Sequence, residues 1–211
     1  MATPSAVLFD LDGTLVDTMQ TFADVAADVM AEYHGLDRGA ARLAYLRTSG
    51  IPFFQQLELI APADRCNRRA ADDFERLKLD ATREVVPSDG TVIALHRLRA
   101  RGIRVGVCSN NFQDQVDRFV EQCPVTIDVA LGFGKGMAKG RPQFERACRD
   151  LACTFDDLVF VGDSLTDAEL AIDSNVRFVG RLGTFGEADF RRTHPGAPVI
   201  GEIDELLNLF A

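Results

Sequence analysis

The sequence predicts an α/β protein with a Rossmann-like parallel sheet core into which an α-helical cap domain is inserted. Five short apolar runs each end at a polar or glycine-rich turn. Apolar residues recur at helical spacing between the later runs, and one long helical stretch near the N-terminus interrupts the alternation. Strands that alternate with helices of this length are typical of a parallel sheet covered by helices.

The five apolar runs predict the strands of the sheet. They begin at Ala6, Ile103, Thr126, Asp157 and Val176. The helix after the second run is predicted from Phe112, Val116, Phe119 and Val120. The helix after the third run has Pro142 in its first turn, a position that suits proline. Ligands of such sheets bind at the carboxyl ends of the strands, so functional residues are expected directly after each strand.

The interruption covers residues 17–86 and predicts the helical cap domain, whereas residues 1–16 and 87–211 are assigned to the core. The helical spacing is carried by Phe22, Val25, Ala26, Val29, Met30 and Tyr33. The exit at Pro87 is predicted to be a hinge, because the residue before a proline favours extended geometry and Ser88 can cap the following helix. The insertion is therefore interpreted as a lid over the site.

Composition and charge exclude two classes of partner. The chain of 211 residues has a formal net charge of −9, whereas binding to nucleic acid requires clustered Lys and Arg. The N-terminus has no basic segment followed by a long apolar one, and no apolar stretch approaches about 18 residues. We therefore expect a cytoplasmic protein without nucleic-acid or membrane partners.

Two carboxylates follow the first strand, in the run from Asp10 to Thr14. Asp10 and Asp12 are one residue apart, and Gly13 allows the backbone to approach a ligand closely. Two charges so close normally force one carboxyl to stay protonated, whereas a bound Mg²⁺ keeps both ionised. The pattern indicates a metal site; the alternative is an acidic turn in which Asp12 and Gly13 reverse the chain.

A second acidic cluster, Asp163 and Asp167, follows the fourth strand. Asp163 is placed to be a metal ligand, although an Asp before a helix can also be its N-cap, and Asp167 can simply favour the N-terminal end of that helix. Two acidic clusters at one edge of a sheet favour an oxygen-rich Mg²⁺ site.

Polar and basic residues follow the second and third strands. Ser109 and the amides after it, beginning with Asn110, can bind phosphate oxygens near a helix N-terminus, or Ser109 can form an N-cap or an ST-turn. Lys139 lies directly before the helix that contains Pro142 and can offset anionic charge there. Lys135 is interpreted as a solvated loop charge.

The order of these motifs resembles the haloacid dehalogenase-like hydrolase superfamily. The elements are DLDGTL from Asp10, a Ser after the second strand, a basic residue before a helix, and GDSLTD from Gly162. A helical insertion directly after the first motif is similar to the subgroup with a helical-bundle cap, as in phosphoglycolate-phosphatase-like members. The resemblance implies a parallel core of five or more strands and a Mg²⁺-dependent phosphatase for a small-molecule phosphate monoester.

The resemblance also implies roles for individual residues. Asp10 is the nucleophile that forms an aspartyl-phosphate, and Asp12 is the general acid and base. The metal ligands are Asp10, the backbone carbonyl of Asp12, and Asp163. Ser109 and Asn110 bind the phosphoryl group.

Two residues can fill the role of the basic residue, because in many relatives it directly precedes a proline, and here Arg141 directly precedes Pro142. Lys139 is favoured over Arg141, since a compact ammonium suits a point charge between carboxylate and phosphate. Asp167 is expected to act through water or to position its loop, and Thr14 to support the ligands. In the insertion, Arg47 is a candidate to bind the polar end of the substrate.

Two alternative functions stay open. A phosphomutase of the β-phosphoglucomutase type shares the core motifs and differs in how the cap holds a bisphosphate and excludes water. A non-catalytic binding protein can retain the same fold. Asp12 argues against dehalogenation and C–P bond cleavage, because neither reaction produces an alkoxide that needs this acid.

Overall fold

The computed structural model describes residues 1–134 and 136–210, so Lys135 lies outside the described residues. Its contacts divide the chain into two compact units. One comprises Met1–Asp17 and Val86–Ala211 and is called the sheet unit; the other, Thr18–Val85, is called the helical unit. These limits lie within one residue of the boundaries predicted from the sequence.

The helical unit contains four helices, and none of residues 18–85, all of which are described, lies in a strand. After strand β1 (Ala6–Phe9), they are α1 (Met19–His34), α2 (Arg38–Arg47), α3 (Phe53–Ile60) and α4 (Asn67–Ala81). Four aromatic rings form the centre of its core: Phe22, Tyr45, Phe53 and Phe74. The rings of Phe53 and Phe74 are closest, with centroids 4.1 Å apart. Each helix supplies one of these rings, so the apolar contacts among the buried rings hold all four helices together.

The sheet unit is built on six parallel strands in the order β3-β2-β1-β4-β5-β6. After β1, the strands are β2 (Arg104–Phe112), β3 (Val129–Phe133), β4 (Leu158–Gly162), β5 (Arg177–Arg181) and β6 (Val199–Ile200). The predicted α/β class and all five predicted strands are confirmed. β6 was not predicted, because two residues are too few to show a periodic pattern. The strand order reverses beside β1, which is where ligands bind in open α/β sheets.

Six helices accompany the strands of the sheet unit among the described residues. They are α5 (Asp89–Ala100), α6 (Gln113–Gln122), α7 (Arg141–Asp150), α8 (Leu165–Asp173), α9 (Glu187–Thr193) and α10 (Leu206–Leu209). Ser88 is the N-cap of α5 and accepts a hydrogen bond from the Thr91 amide, as predicted. Phe112, predicted as helical, is the last residue of β2 instead, and its half-exposed ring packs on Phe133. None of the described helices combines the length and apolar character required to cross a bilayer.

The end of β2 is irregular. Its pairing with β3 shifts register between Cys108 and Phe112, so Ser109–Asn111 is left out of the regular ladder. Such bulges bend a strand and redirect its side chains. Here the irregularity occurs at the carboxyl edge of the sheet, where functional residues are expected.

We expect the substitution Phe74→Ala to destabilise the helical unit by about 3–5 kcal/mol, the usual effect of removing a buried aromatic ring. Phe74 is 2% exposed and contacts the rings of Phe22, Tyr45 and Phe53. Urea unfolding followed by circular dichroism measures the change. Leu59→Ala is the control, because Leu59 is 65% exposed on α3 and its loss should change stability by less than about 0.5 kcal/mol. Equal effects of the two substitutions would contradict this account of the core.

Candidate active site

Four charged side chains meet at the carboxyl edge of the sheet. Asp10 directly follows β1, Asp163 directly follows β4, Lys139 precedes α7, and Asp167 lies in the first turn of α8. All four residues are buried. Burial of this many charges is costly unless they are paired, so their mutual arrangement is the main feature of the site.

Lys139 lies between two carboxylates. Its Nζ atom is 3.0 Å from Oδ1 of Asp10 and 2.7 Å from Oδ1 of Asp167, and its side chain is 3% exposed. Burial alone would lower the pKa of Lys139, but the charges and hydrogen bonds of Asp10 and Asp167 raise it above its ordinary value. Lys139 is therefore a permanent cation in contact with Asp10.

The carboxylates form a cluster that one lysine does not neutralise. One oxygen each of Asp10, Asp163 and Asp167 lie within 4.8 Å of one another. Burial raises the pKa of Asp10 well above its ordinary range, with Lys139 opposing the shift and the neighbouring carboxylates adding to it. Burial, with Asp167 close by, also raises the pKa of Asp163 to about 7. Hard oxygen ligands whose ionisation is disfavoured by burial and by mutual repulsion fit a divalent cation such as Mg²⁺.

Asp163 is not the N-cap of the following helix. That role belongs to Ser164, whose Oγ accepts a hydrogen bond from the Asp167 amide at 3.0 Å. Asp167 accepts in return from the amide and hydroxyl of Ser164 through Oδ2, at 3.2 and 2.7 Å. One oxygen of Asp163 accepts a hydrogen bond from the Thr184 hydroxyl at 2.5 Å. The capping box thus orients Asp167 towards Lys139, and Asp163 is directed towards the cluster.

Two glycines make this packing possible. A Cβ atom on Gly162 would lie 2.6 Å from Cβ of Asp167, so any side chain there would displace the aspartate. Gly140, directly after Lys139, has a φ of 110°. Proline fixes φ near −65° and cannot adopt this conformation. The absence of a proline directly after Lys139 therefore has a local structural reason.

The irregular end of β2 contacts the segment that follows β3, which includes Lys139 and α7. The Ser109 carbonyl accepts a hydrogen bond from Nε2 of the buried Gln143 at 2.9 Å, and Oδ1 of Asn110 accepts one from the Lys139 amide at 3.1 Å. The Asn111 amide donates to Oγ of Ser109 at 3.0 Å, so Ser109 forms an ST-turn, as one alternative predicted. This bond uses a lone pair of the hydroxyl and not its proton.

Asp12 differs from the other carboxylates because it is only half-buried. Its Oδ2 accepts a hydrogen bond from Nδ2 of Asn111 at 2.6 Å. Gly13 has a φ of 79° and its amide bonds to the Val16 carbonyl, so the chain does turn here, and the predicted acidic turn coexists with the site. Thr14 is buried, and its hydroxyl has no hydrogen-bond partner among the described residues.

Two candidate residues lie elsewhere. The Arg141 side chain is 57% exposed and pairs through Nε with Glu145 at 2.9 Å, so between the two basic candidates it is Lys139 that contacts Asp10. The difference arises because Arg141 is the first residue of α7, whereas Lys139 is in the loop before it. Arg47 is the last residue of α2 in the helical unit and is exposed. Its contact with a substrate stays a prediction.

Three residues of the site were missed in the sequence. Asn111 is the second asparagine of a Ser-Asn-Asn run, and its position at the end of a predicted strand is a signal that it could be a site residue. Gln143 follows Pro142 in α7, a segment for which the apolar spacing predicts only a helix. Thr184 follows β5, where no motif marks it, and only the fold brings it to Asp163.

Curated relatives were found by sequence. The phosphoglycolate phosphatase of Rhodospirillum rubrum is 29% identical over 189 residues, which cover 83% of this chain and 78% of that protein. A phosphoglycolate phosphatase of Cereibacter sphaeroides is 25% identical over 181 residues, which cover 82% of each chain. Each alignment is longer than the sheet unit alone, so it also extends into the helical unit.

A solved structure shares the fold across the full chain. It is the crystal structure of a predicted phosphatase from Clostridium acetobutylicum, with a TM-score of 0.81, 20% identity, and coverage of 99% of this chain and 98% of that chain. The family described as haloacid dehalogenase-like hydrolase matches residues 7–181, which include every sheet-edge residue discussed above except Thr184. The resemblance inferred from the order of the motifs is confirmed: the chain belongs to the haloacid dehalogenase-like hydrolase family.

Proposed function

We propose that this enzyme is a Mg²⁺-dependent phosphatase that hydrolyses a small-molecule phosphate monoester through an aspartyl-phosphate on Asp10. The observation that carries the proposal is the buried contact between the Lys139 ammonium and the Asp10 carboxylate, 3.0 Å apart at the carboxyl edge of the sheet. A carboxylate attacks an anionic phosphoryl group only where positive charge offsets the repulsion, and Lys139 supplies such a charge. The family and the phosphatases among its relatives support the same chemistry.

In the first step, an oxygen of Asp10 forms a bond to phosphorus while the bond between phosphorus and the ester oxygen breaks. The departing alkoxide takes a proton from Asp12, which leaves Asp12 as a carboxylate. In the second step, Asp12 removes a proton from water as that water attacks phosphorus. The bond to Asp10 then breaks, phosphate is released, and both aspartates return to their starting states.

The phosphoryl group is bound by the end of β2 in this proposal. The Ser109 hydroxyl donates to a phosphate oxygen with the proton that its ST-turn does not use, and the Asn110 amide donates to another. Gln143 donates to the backbone carbonyl of Ser109, and the Lys139 amide donates to the side chain of Asn110, so both hold this loop in place.

Mg²⁺ would be held by the carboxylates of Asp10 and Asp163 and by the backbone carbonyl of Asp12. When bound, it supplies positive charge that offsets the charge of the phosphoryl group. Asp167 is assigned a supporting role, because both of its oxygens are engaged, one with Lys139 and one with Ser164. The buried Thr14 hydroxyl is assigned a similar supporting role beside the ligands.

The helical unit is proposed to act as the cap that selects the substrate, with Arg47 as the candidate contact for its polar end. The phosphoglycolate phosphatases among the relatives make 2-phosphoglycolate the first substrate to test. We propose that the enzyme is cytoplasmic. Sugar phosphates and nucleoside monophosphates are further candidate substrates.

Phosphate release from a panel of these esters, with Mg²⁺ or with a chelator, is the primary test. We expect wild-type activity to require Mg²⁺, Asp10→Asn to abolish turnover, and Asp12→Asn to reduce it by roughly 10²–10⁴-fold, because it removes general acid and base help. Full activity of Asp10→Asn would contradict the mechanism. A hexose 1-phosphate in the panel that is isomerised and not hydrolysed would support the mutase alternative.

The two basic candidates are separated by matched substitutions. We expect Lys139→Met to lower kcat by at least about 10²-fold, because it removes the charge beside Asp10, and Arg141→Met to leave kcat unchanged, because Arg141 pairs with Glu145 at the surface. Steady-state kinetics on the best ester measure both, and thermal unfolding shows whether each variant is folded. A larger loss in Arg141→Met would reverse the assignment.

The raised pKa of Asp163 predicts a pH dependence of the metal-free protein. This pKa is about 7 in the folded chain and near its ordinary value of about 4 in the unfolded chain. Between those values the folded state holds a proton that the unfolded state has lost, so the stability from this group is present below about pH 4 and declines as the pH rises through 7. In chelator, wild-type Tm should therefore fall more between pH 5 and pH 8 than the Tm of Asp163→Asn.

Magnesium provides the control for this prediction. Metal binding requires ionised carboxylates, so added Mg²⁺ should raise the wild-type Tm more at pH 8 than at pH 5, and should raise the Tm of Asp163→Asn less. Parallel pH profiles for the two metal-free proteins would show that Asp163 does not titrate in this range.

A further inference from the structure

We propose that Asn111 is a positioning residue that holds Asp12 in the orientation required for proton transfer to the leaving group and from water. This inference rests on the proposed function, in which Asp12 is the general acid and base. It assigns a role to the last residue of the Ser-Asn-Asn run at the irregular end of β2.

The contact between the two side chains is short and directed. Nδ2 of Asn111 lies 2.6 Å from Oδ2 of Asp12. Asp10, Asp163 and Asp167 are held in place by burial, and the oxygens of Asp167 are also held by Ser164 and Lys139. Asp12 is half-buried, so burial restrains its carboxyl group less, and a fixed donor on one oxygen helps to orient it.

Asn111 is itself attached to the group that binds phosphate. Its amide donates to Oγ of Ser109 at 3.0 Å, and both residues lie in the segment where β2 departs from regular pairing with β3. The backbone of that segment is anchored further by Gln143. Because a positional error of about 1 Å at a reacting group can cost about 10² in rate, this linkage between the phosphate loop and the acid has a kinetic consequence.

The donor also distinguishes the two oxygens of Asp12. While Nδ2 of Asn111 donates to Oδ2, that oxygen acts as an acceptor, and the proton that Asp12 carries as an acid is directed to Oδ1. In the first step the proton leaves Oδ1 for the ester oxygen, and in the second step a proton from water returns to Oδ1. Asn111 exchanges no proton in either step.

The test compares two substrates that differ in their need for an acid. Glycolate leaves from 2-phosphoglycolate as an alkoxide, which must be protonated, whereas p-nitrophenolate leaves from p-nitrophenyl phosphate without a proton. The parameter kcat/KM reports steps up to the first phosphoryl transfer, so it isolates the acid's contribution. We expect Asn111→Leu, of similar size but without a donor, to lower kcat/KM on 2-phosphoglycolate by about 10–100-fold and on p-nitrophenyl phosphate by less than about threefold.

A double-mutant cycle tests whether Asn111 acts through Asp12. In the Asp12→Asn background, adding Asn111→Leu should cause no further loss on 2-phosphoglycolate, because the group that Asn111 orients is already gone. An equal loss on both substrates, no loss on either, or a full additional loss in the Asp12→Asn background would overturn the proposal.

The failure of this inference is distinguishable from failure of the proposed function. A wild-type protein that releases no phosphate from either substrate, or an Asp10→Asn variant that keeps its activity, overturns the proposed function and the inference with it. A wild-type enzyme that is active and depends on Asp10, combined with any of the three contrary results for Asn111→Leu, overturns the inference alone. Thermal unfolding of each variant confirms that the comparison is made between folded proteins.

Discussion

The site depends on one buried ion pair system, the Lys139 ammonium held between Asp10 and Asp167. A lysine as buried as this one is stable only with carboxylates in contact, and the carboxylates in turn need a cation. Removal of Lys139 would leave two buried carboxylates without the cation that pairs with them. The rest of the local structure serves this arrangement: the capping box orients Asp167, Gly162 makes room for it, and Gly140 allows the chain to turn directly after the lysine.

The same charges explain why the site suits a further cation. Oxygens of three carboxylates lie within 4.8 Å of one another beside one lysine, and burial together with their mutual repulsion raises the pKa values of Asp10 and Asp163. A divalent cation would bring the positive charge that this cluster lacks, and that charge would also offset the negative charge of an incoming phosphoryl group. Asp10, the proposed nucleophile, is therefore held beside like charges whose repulsion a bound cation is proposed to reduce.

The irregular end of β2 is the structural link between the parts of the site. Ser109, Asn110 and Asn111 bond in turn to α7 through Gln143, to the Lys139 amide, and to Asp12. A regular strand end would direct these groups alternately to the two faces of the sheet, whereas the register shift frees the segment to reach three neighbours at once. The proposed phosphate-binding group, Lys139 and the proposed acid are therefore linked through three consecutive residues.

The sequence by itself determined the α/β class, five of the strands, the helical insertion and the two acidic strand ends, because each is encoded in local spacing along the chain. Apolar runs and helical periodicity need no knowledge of distant contacts, and Asp10 and Asp163 are recognisable because each directly follows a buried strand. Only the tertiary structure distinguished Lys139 from Arg141, since Lys139 in the loop before α7 contacts Asp10, whereas Arg141 begins the helix and pairs with Glu145 at the surface. It also decided the partner of Asp167, the contact of Asn111 with Asp12 and that of Thr184 with Asp163. Each of these contacts joins residues near the ends of different strands. Their spacing along the sequence does not relate them, and only the packing of the sheet brings them within bonding distance.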